Sequence, residues 1–316
     1  MNSILVVGAG AIGGYFGGRL LEANRDVTFL VRPRRARELA DSGLRIRSRC
    51  GDVTISNPPA VLAADLRSTF DLVLLSCKAY DLTAAIASFA PAVGPDTVIL
   101  PLLNGMRHLD VLDDSFSRGR VLGGTCLIAA TLDDKRDIVH LNDGHAVTFG
   151  ERDGAMSDRV AAIDGLMDGA RFKHRASPSI VLEMWEKWVF LATLAGSTCL
   201  MRAAIGDIVA APGGSDLILG LFEECRSIAA AQNYVPRKSF VDRSRGTLTE
   251  TGSPLTASML RDIEANAPIE ADHIIGDLLA RGEASLLPII YSVLKAYESR
   301  RNRILTAQAQ TSTDPS

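Results

Sequence analysis

The sequence predicts an α/β chain, with an N-terminal Rossmann-like dinucleotide-binding domain followed by an all-helical C-terminal domain. Three observations carry this. Short apolar runs alternate with helical patterns through the first half, as in a mostly parallel sheet covered on both faces. A GxGxxG run, Gly8-Ala9-Gly10-Ala11-Ile12-Gly13, falls between the first apolar run and the first helical pattern. From about residue 178 the apolar period is helical almost throughout. The expected domains are 1–177 and 178–306. The small, polar stretch 307–316 is expected to be a disordered tail.

Taken in order, 4–10 ("ILVVGAG") reads as a buried strand, 11–23 as a helix and 26–32 ("DVTFLVR") as a second strand. "LRIRS" and "DVTIS" read as a small hairpin around Gly51. The runs 71–78, 97–103 and 121–130 read as further strands of the main sheet, with 138–151 adding antiparallel edge strands. "RASPSI" (175–180) reads as the exit from this domain. Apolar-periodic stretches near 180–201, 214–232, 256–265, 270–281 and 286–302 read as helices.

A chain of 316 residues that is 47% hydrophobic can bury a sizeable core, and its length favours about two domains. A net charge of −3 gives no sign of a nucleic-acid binder. Five scattered cysteines, none paired as CxxC, indicate neither a zinc site nor a disulfide framework, and the five histidines form no metal-ligand cluster. No stretch is long and apolar enough to cross a bilayer. The expectation is a cytoplasmic protein, monomer or homodimer, with a small-molecule substrate, no metal and no membrane or nucleic-acid partner.

In the context of strand, turn and helix, the glycine run is informative. Gly8 permits the tight turn, Gly10 lets backbone approach a pyrophosphate, and Gly13 lets helix and strand pack closely. The amides of Ala9, Ala11 and Ile12 complete a helix N-terminus that suits phosphate. NAD binders place an Asp or Glu about 20 residues on; this chain instead offers Arg32, Arg34 and Arg35. A guanidinium matches a phosphate, so NADPH is the expected cofactor and Arg32 its best reader. Lys78, in "LSCKAYD", and Asn104, in "LLNGM", lie just past strand ends, at the edge where parallel sheets bind ligands.

In "MWEKWVFLATLAG" one cation, Lys187, stands between Trp185 and Trp188. Leu191 and Ala195 follow it at i+4 and i+8, so the lysine's stripe is otherwise apolar. The bland reading is a solvated face; the other is a proton donor at a semi-buried cleft, where a carbonyl oxygen gains charge as hydride arrives. "SMLRDIEANAPIE" adds Ser258 and Glu270, with Pro268 able to occupy a first helical turn.

Together these residues resemble the ketopantoate reductase family, NADPH-dependent enzymes that reduce 2-dehydropantoate to pantoate. The likeness runs from Ile4 to about Tyr297, and the serine-to-glutamate phrase is its most specific marker. It implies Lys187 as general acid, Glu270 on the substrate hydroxyl and supporting catalysis, and Ser258 on the substrate carboxylate. It also implies Asn104 and Lys78 at the cofactor–substrate junction. The chain departs from the pattern where Leu191, Ala195 and Leu255 stand at positions that usually carry asparagine. That departure implies a more apolar pocket and opens two alternatives, a reductase of a less polar ketone or 2-oxo acid, and a non-catalytic NADP(H) sensor.

Overall fold

The computed structural model describes residues 1–312 and divides into two compact units, Met1–Met184 and a second beginning at Trp185. The first unit runs β1 (Ser3–Val7), α1 (Ala11–Glu22), β2 (Asp26–Leu30), α2 (Pro33–Ser42), β3 (Leu44–Arg47), β4 (Val53–Ile55) and β5 (Ala60–Val61). It continues with β6 (Leu72–Leu75), α3 (Leu82–Phe89), β7 (Val98–Pro101), α4 (Arg107–Phe116), β8 (Gly123–Leu132), β9 (Ile138–Gly150), α5 (Asp158–Met167) and β10 (Lys173–Ala176).

The main sheet has the order β5-β2-β1-β6-β7, and every pairing in it is parallel. Strands β6 and β7 are buried at every residue and β1 at four of five. That explains their unbroken apolar runs, since a parallel strand covered on both faces has no polar side to show. From β1 the chain moves outward to β2 and β5, then returns to the other side of β1 for β6 and β7. The strand order therefore reverses between β1 and β6, the topological switch point where such sheets bind ligands.

The expectation for 121–130 and 138–151 is corrected. Strand β8 does not extend the main sheet; only the bridge Ile99–Val121 links this run to it. The 138–151 stretch is one long strand, β9, rather than short edge strands. It is central to a second, mixed sheet, antiparallel to β8 and parallel to β3 and β10. The cause is visible in burial. Strand β8 exposes Leu127 to 64%, so it has one covered face where β6 and β7 have two. The hairpin around Gly51 is β3–β4, antiparallel as expected, with Leu44 opposite Ile55. One core joins Ile4, Val6 and Leu74 of the main sheet, Phe16 of α1, and Ile138, Val147 and Phe149 of β9.

Helix α6 (Ile180–Met201) leads into the second unit. There follow α7 (Ile205–Ala210), α8 (Gly214–Ala231), α9 (Lys238–Leu248) and α10 (Ser258–Glu264), then a π segment (Asp272–Gly276) running into α11 (Asp277–Leu279), and finally α12 (Leu287–Ser312). The stretch read as a tail from residue 307 is thus helical through Ser312, and residues 313–316 lie outside the described ones. No described helix is long and apolar enough to cross a membrane.

Candidate active site

The parallel register sets the C-terminal ends of β1, β2, β6 and β7 along one edge. Onto that edge the chain brings the glycine turn after β1, Arg32 after β2, Lys78 after β6 and Asn104 after β7. Gly8 has φ +94°, open to glycine without strain, and its N–H donates to the Leu30 carbonyl at 3.0 Å. A Cβ on Gly13 would lie 2.2 Å from both the Gly8 carbonyl oxygen and Ser76 Oγ. Gly13 therefore lets α1 sit against the turn and β6. Gly10 is the N-cap of α1, and a Cβ built there meets nothing within 4 Å. No side chain caps this helix and its first turn carries no acid. An uncapped N-terminus with open space in front of it fits a pyrophosphate.

Arg32 is exposed at the start of α2, and its Nη2 donates to Asp81 Oδ1 at 2.7 Å. The hydrogen bond and charge of Asp81 raise its pKa further above the ordinary arginine value. Arg34 and Arg35 both hydrogen-bond Glu38. Arg35 Nε also donates to the Ala9 carbonyl inside the glycine run, at 3.0 Å. Burial alone would raise the Glu38 pKa, but Arg35, Arg34 and Arg136 outweigh it and hold the carboxyl below its ordinary value. The first acid in sequence after β2 is thus already committed to three guanidinium groups. Lys78 is half-buried and opens the turn at Ala79–Asp81, its carbonyl accepting from Asp81 N–H at 2.9 Å. Asn104 is half-buried before Gly105, whose φ is +75°. Sequence reasoning missed Asp81 and Ser76; the carboxylate at the end of "CKAYD" was the available signal.

In the helical unit, Lys187 is half-buried on α6 while Trp185 and Trp188 are buried. At 100° per residue the tryptophans stand about 160° and 100° round the helix from the lysine. Their rings lie 4.9 Å apart beneath the Arg281 guanidinium, and Trp185 stacks on Tyr234. The tryptophans therefore anchor the helix and leave Lys187 on a different face. Glu186, 4% exposed, accepts from Arg237 N–H and Nε at 2.8 and 2.9 Å, which fixes the same turn from another side.

Trp188 Nε1 donates to the Ile274 carbonyl at 2.9 Å, tying the turn that carries Lys187 to the π segment. Glu270 starts that segment: its carbonyl accepts from Ile274 N–H at 2.9 Å, and its side chain is half-buried. Pro268 lies ahead of the first helical turn rather than in it. Ser258, exposed, is the first residue of α10, and Ala257 N–H before it bonds Thr198 Oγ1 of α6 at 3.4 Å. The segments bearing Lys187, Ser258 and Glu270 are thus joined through α6. Leu191 and Leu255 are half-buried and Ala195 is buried, 4% exposed. The expectation that the histidines form no cluster is corrected, because β9 and the β3–β4 turn gather His140, His145 and Cys50.

The family model described as "Ketopantoate reductase PanE/ApbA" matches residues 4–154, and its C-terminal counterpart matches residues 179–298. The chain belongs to the ketopantoate reductase family. It is an oxidoreductase acting on CH–OH groups, and its sheet unit with a following helical region is the family's fold. It is 35% identical over 302 residues to the uncharacterized oxidoreductase YkpB of Bacillus subtilis (strain 168), covering 94% of this chain and 99% of that one. A crystal structure of 2-dehydropantoate 2-reductase from Methylococcus capsulatus superposes with a TM-score of 0.83 at 27% identity, covering 95% and 97% of the two chains. D-mandelate dehydrogenase in a ternary structure with NADH and anilino(oxo)acetate shares the fold, with a TM-score of 0.84 at 19% identity over 95% and 99%.

Proposed function

We propose that this family member reduces a 2-oxo acid with NADPH, 2-dehydropantoate to pantoate being the first substrate to test. The observation that carries the reading is Lys187. It is a half-buried ammonium followed one and two turns on by the apolar Leu191 and Ala195, on a helix anchored by two buried tryptophans and tied by Trp188 to the segment that Glu270 begins. The nicotinamide supplies the hydride. The amides of Ala11 and Ile12 and the open approach over Gly10 hold the pyrophosphate, and Arg32 reads the 2′-phosphate. Lys78 and Asn104 orient what binds at the sheet edge. Lys187 Nζ donates a proton to the carbonyl oxygen as that oxygen becomes an alkoxide, Glu270 accepts a hydrogen bond from the substrate hydroxyl, and Ser258 donates to its carboxylate.

A second reading is favoured by Leu191, Ala195 and Leu255. A site that hydrogen-bonds a hydroxyl discriminates strongly for it, and apolar groups cannot do so. On that reading the substrate is a less polar 2-oxo acid or ketone, handled by the same Lys187 chemistry. The test is NADPH oxidation with 2-dehydropantoate beside a panel of apolar 2-oxo acids, using wild type and Lys187→Ala. Fast turnover of 2-dehydropantoate, lost in the variant, supports the first reading. Turnover confined to the apolar acids supports the second. NADPH binding with no turnover of any of them would overturn both and leave a cofactor sensor.

A further inference from the structure

The second sheet of the N-terminal unit gathers three metal-ligating side chains that the reductase reading does not use. His140 and His145 lie on β9 and Cys50 in the turn between β3 and β4. One ligand atom from each lies within 4.8 Å of the others. His140 is buried; His145 and Cys50 are half-buried, and Cys50 is a free thiol.

The surrounding hydrogen bonds set the protonation of these rings. His140 Nε2 faces two oxygens, the Gly144 carbonyl at 3.1 Å and Asn142 Oδ1 at 3.2 Å. Asn142 Oδ1 is identified as oxygen because it also accepts from Ala129 N–H at 2.9 Å. Neither oxygen can donate, so Nε2 carries the ring proton and Nδ1 holds the lone pair. Ser48 Oγ donates to that Nδ1 at 2.8 Å and accepts from Cys50 N–H at 3.1 Å, which pins the cysteine turn to the ring; a metal at Nδ1 takes the place of the Ser48 O–H. His145 Nδ1 meets Tyr15 Oη at 2.7 Å; when the phenol oxygen accepts from Nδ1–H, Nε2 is free to ligate. An imidazole whose second nitrogen is held by a carbonyl or hydroxyl oxygen is the outer-shell arrangement of metal-binding histidines. The nearby cation Arg19 is already paired with Glu22 at 2.9 Å and hydrogen-bonded to the Gly51 carbonyl.

We propose that Cys50, His140 and His145 form a binding site for a borderline-soft divalent transition metal of the zinc class. Two imidazoles and a thiolate match that class and not calcium or magnesium, which take oxygen ligands. With metal–nitrogen and metal–sulfur bonds of about 2.0 and 2.3 Å, tetrahedral ligands lie about 3.5 Å apart. Closing the cluster therefore takes a movement of about an ångström or less per side chain. Three protein ligands leave a fourth position for water or an anion. Binding releases the Cys50 thiol proton, and no redox step is involved.

The experiment titrates reduced, chelator-stripped full-length protein with cobalt(II) and then displaces the cobalt with zinc. The expected result is one saturating equivalent, tetrahedral cobalt bands and a thiolate-to-cobalt charge-transfer band. Cys50→Ser removes the charge-transfer band. His145→Asn weakens binding at least tenfold, and Tyr15→Phe, acting through His145, weakens it about tenfold. Zinc raises the melting temperature of the wild type and not of Cys50→Ser. Circular dichroism confirms that each variant is folded, with Cys50→Ala replacing any that is not. Absence of stoichiometric binding overturns the site. So do cobalt bands that survive unchanged in Cys50→Ser and His145→Asn, since the ion would then be elsewhere.

Discussion

Lys187 stands between two tryptophans in sequence, but the indoles are engaged elsewhere. Here Trp188 gives its N–H to Ile274 and Trp185 stacks on Tyr234, so both indoles are used up holding α6. Lys187 lies on another face of the helix, and a general acid of the kind proposed for it contributes about 10²–10⁴-fold. Lys187→Ala should lose kcat by that factor while binding NADPH as wild type does, checked by steady-state kinetics beside fluorescence titration of the cofactor. Arg32 tests cofactor choice in the same way. Its partner Asp81 holds the guanidinium at the end of β2 without covering it, and the side chain stays 71% exposed. Arg32→Ala should raise the Kd for NADPH about tenfold and leave NADH within twofold, because only the former presents a 2′-phosphate. Equal losses for both would assign Arg32 to the turn and not to the cofactor. The thiols divide by burial. Burial pushes Cys199 and Cys225 up to about 12, so they stay protonated and inert in the helical unit.

At the scale of the element, the phrase "EANAPIE" explains itself. Helix α10 ends in a Schellman turn: Ala267 N–H bonds the Asp262 carbonyl at 2.8 Å, Asn266 N–H bonds that of Ile263 at 3.0 Å, and Asn266 has φ +52°. Tyr297 Oη and Arg301 Nε donate to the carbonyls of Ala267 and Asn266, so α12 buttresses the turn that delivers Glu270. An L-residue other than asparagine or glycine costs about 1–2 kcal/mol there. Asn266→Ala should lower stability by about 1 kcal/mol in denaturant unfolding, whereas Asn266→Gly should leave it nearly unchanged. Elements such as these were legible in proportion to how local their cause is. The glycine turn, the β3–β4 hairpin and the long helix α6 follow from spacing and period. Strands β8 and β9 were misassigned because strand period reports how many faces are covered and not which sheet covers them. The pairing of Asp81 with Arg32 and the gathering of Cys50, His140 and His145 are not local, since each is assembled by contacts between distant parts of the sequence.

At the scale of the whole molecule, stability should depend on carboxylates held ionised by partners. Glu151, just past β9, accepts from Arg159 Nε and Nη2 and from Ser157 Oγ, each at 2.6 Å. The pair fastens α5, whose N-cap is Ser157, to the end of the second sheet. Chiefly through the Arg159 hydrogen bond, against a smaller opposing effect of burial, the Glu151 pKa lies below its ordinary 4.5. Asp71 is lowered in the same direction by hydrogen bonds from the amides of Asn2 and Ser3, which fasten the start of β1 beside β6. A carboxyl with a depressed folded pKa binds fewer protons folded than unfolded. Its contribution is therefore fully present above the unfolded value, and is lost as pH falls below about 4.5 and through the lower folded value. Glu151→Gln should thus lower the melting temperature at pH 7, by the equivalent of about 1–2 kcal/mol for a partly buried, charge-assisted pair. The gap to wild type should shrink as pH is taken below that value, with the wild type losing stability and the variant less so. Melting curves across that range decide the matter. A gap of constant size would show that Glu151 holds α5 by shape alone, with its charge contributing nothing to the join between helix and sheet.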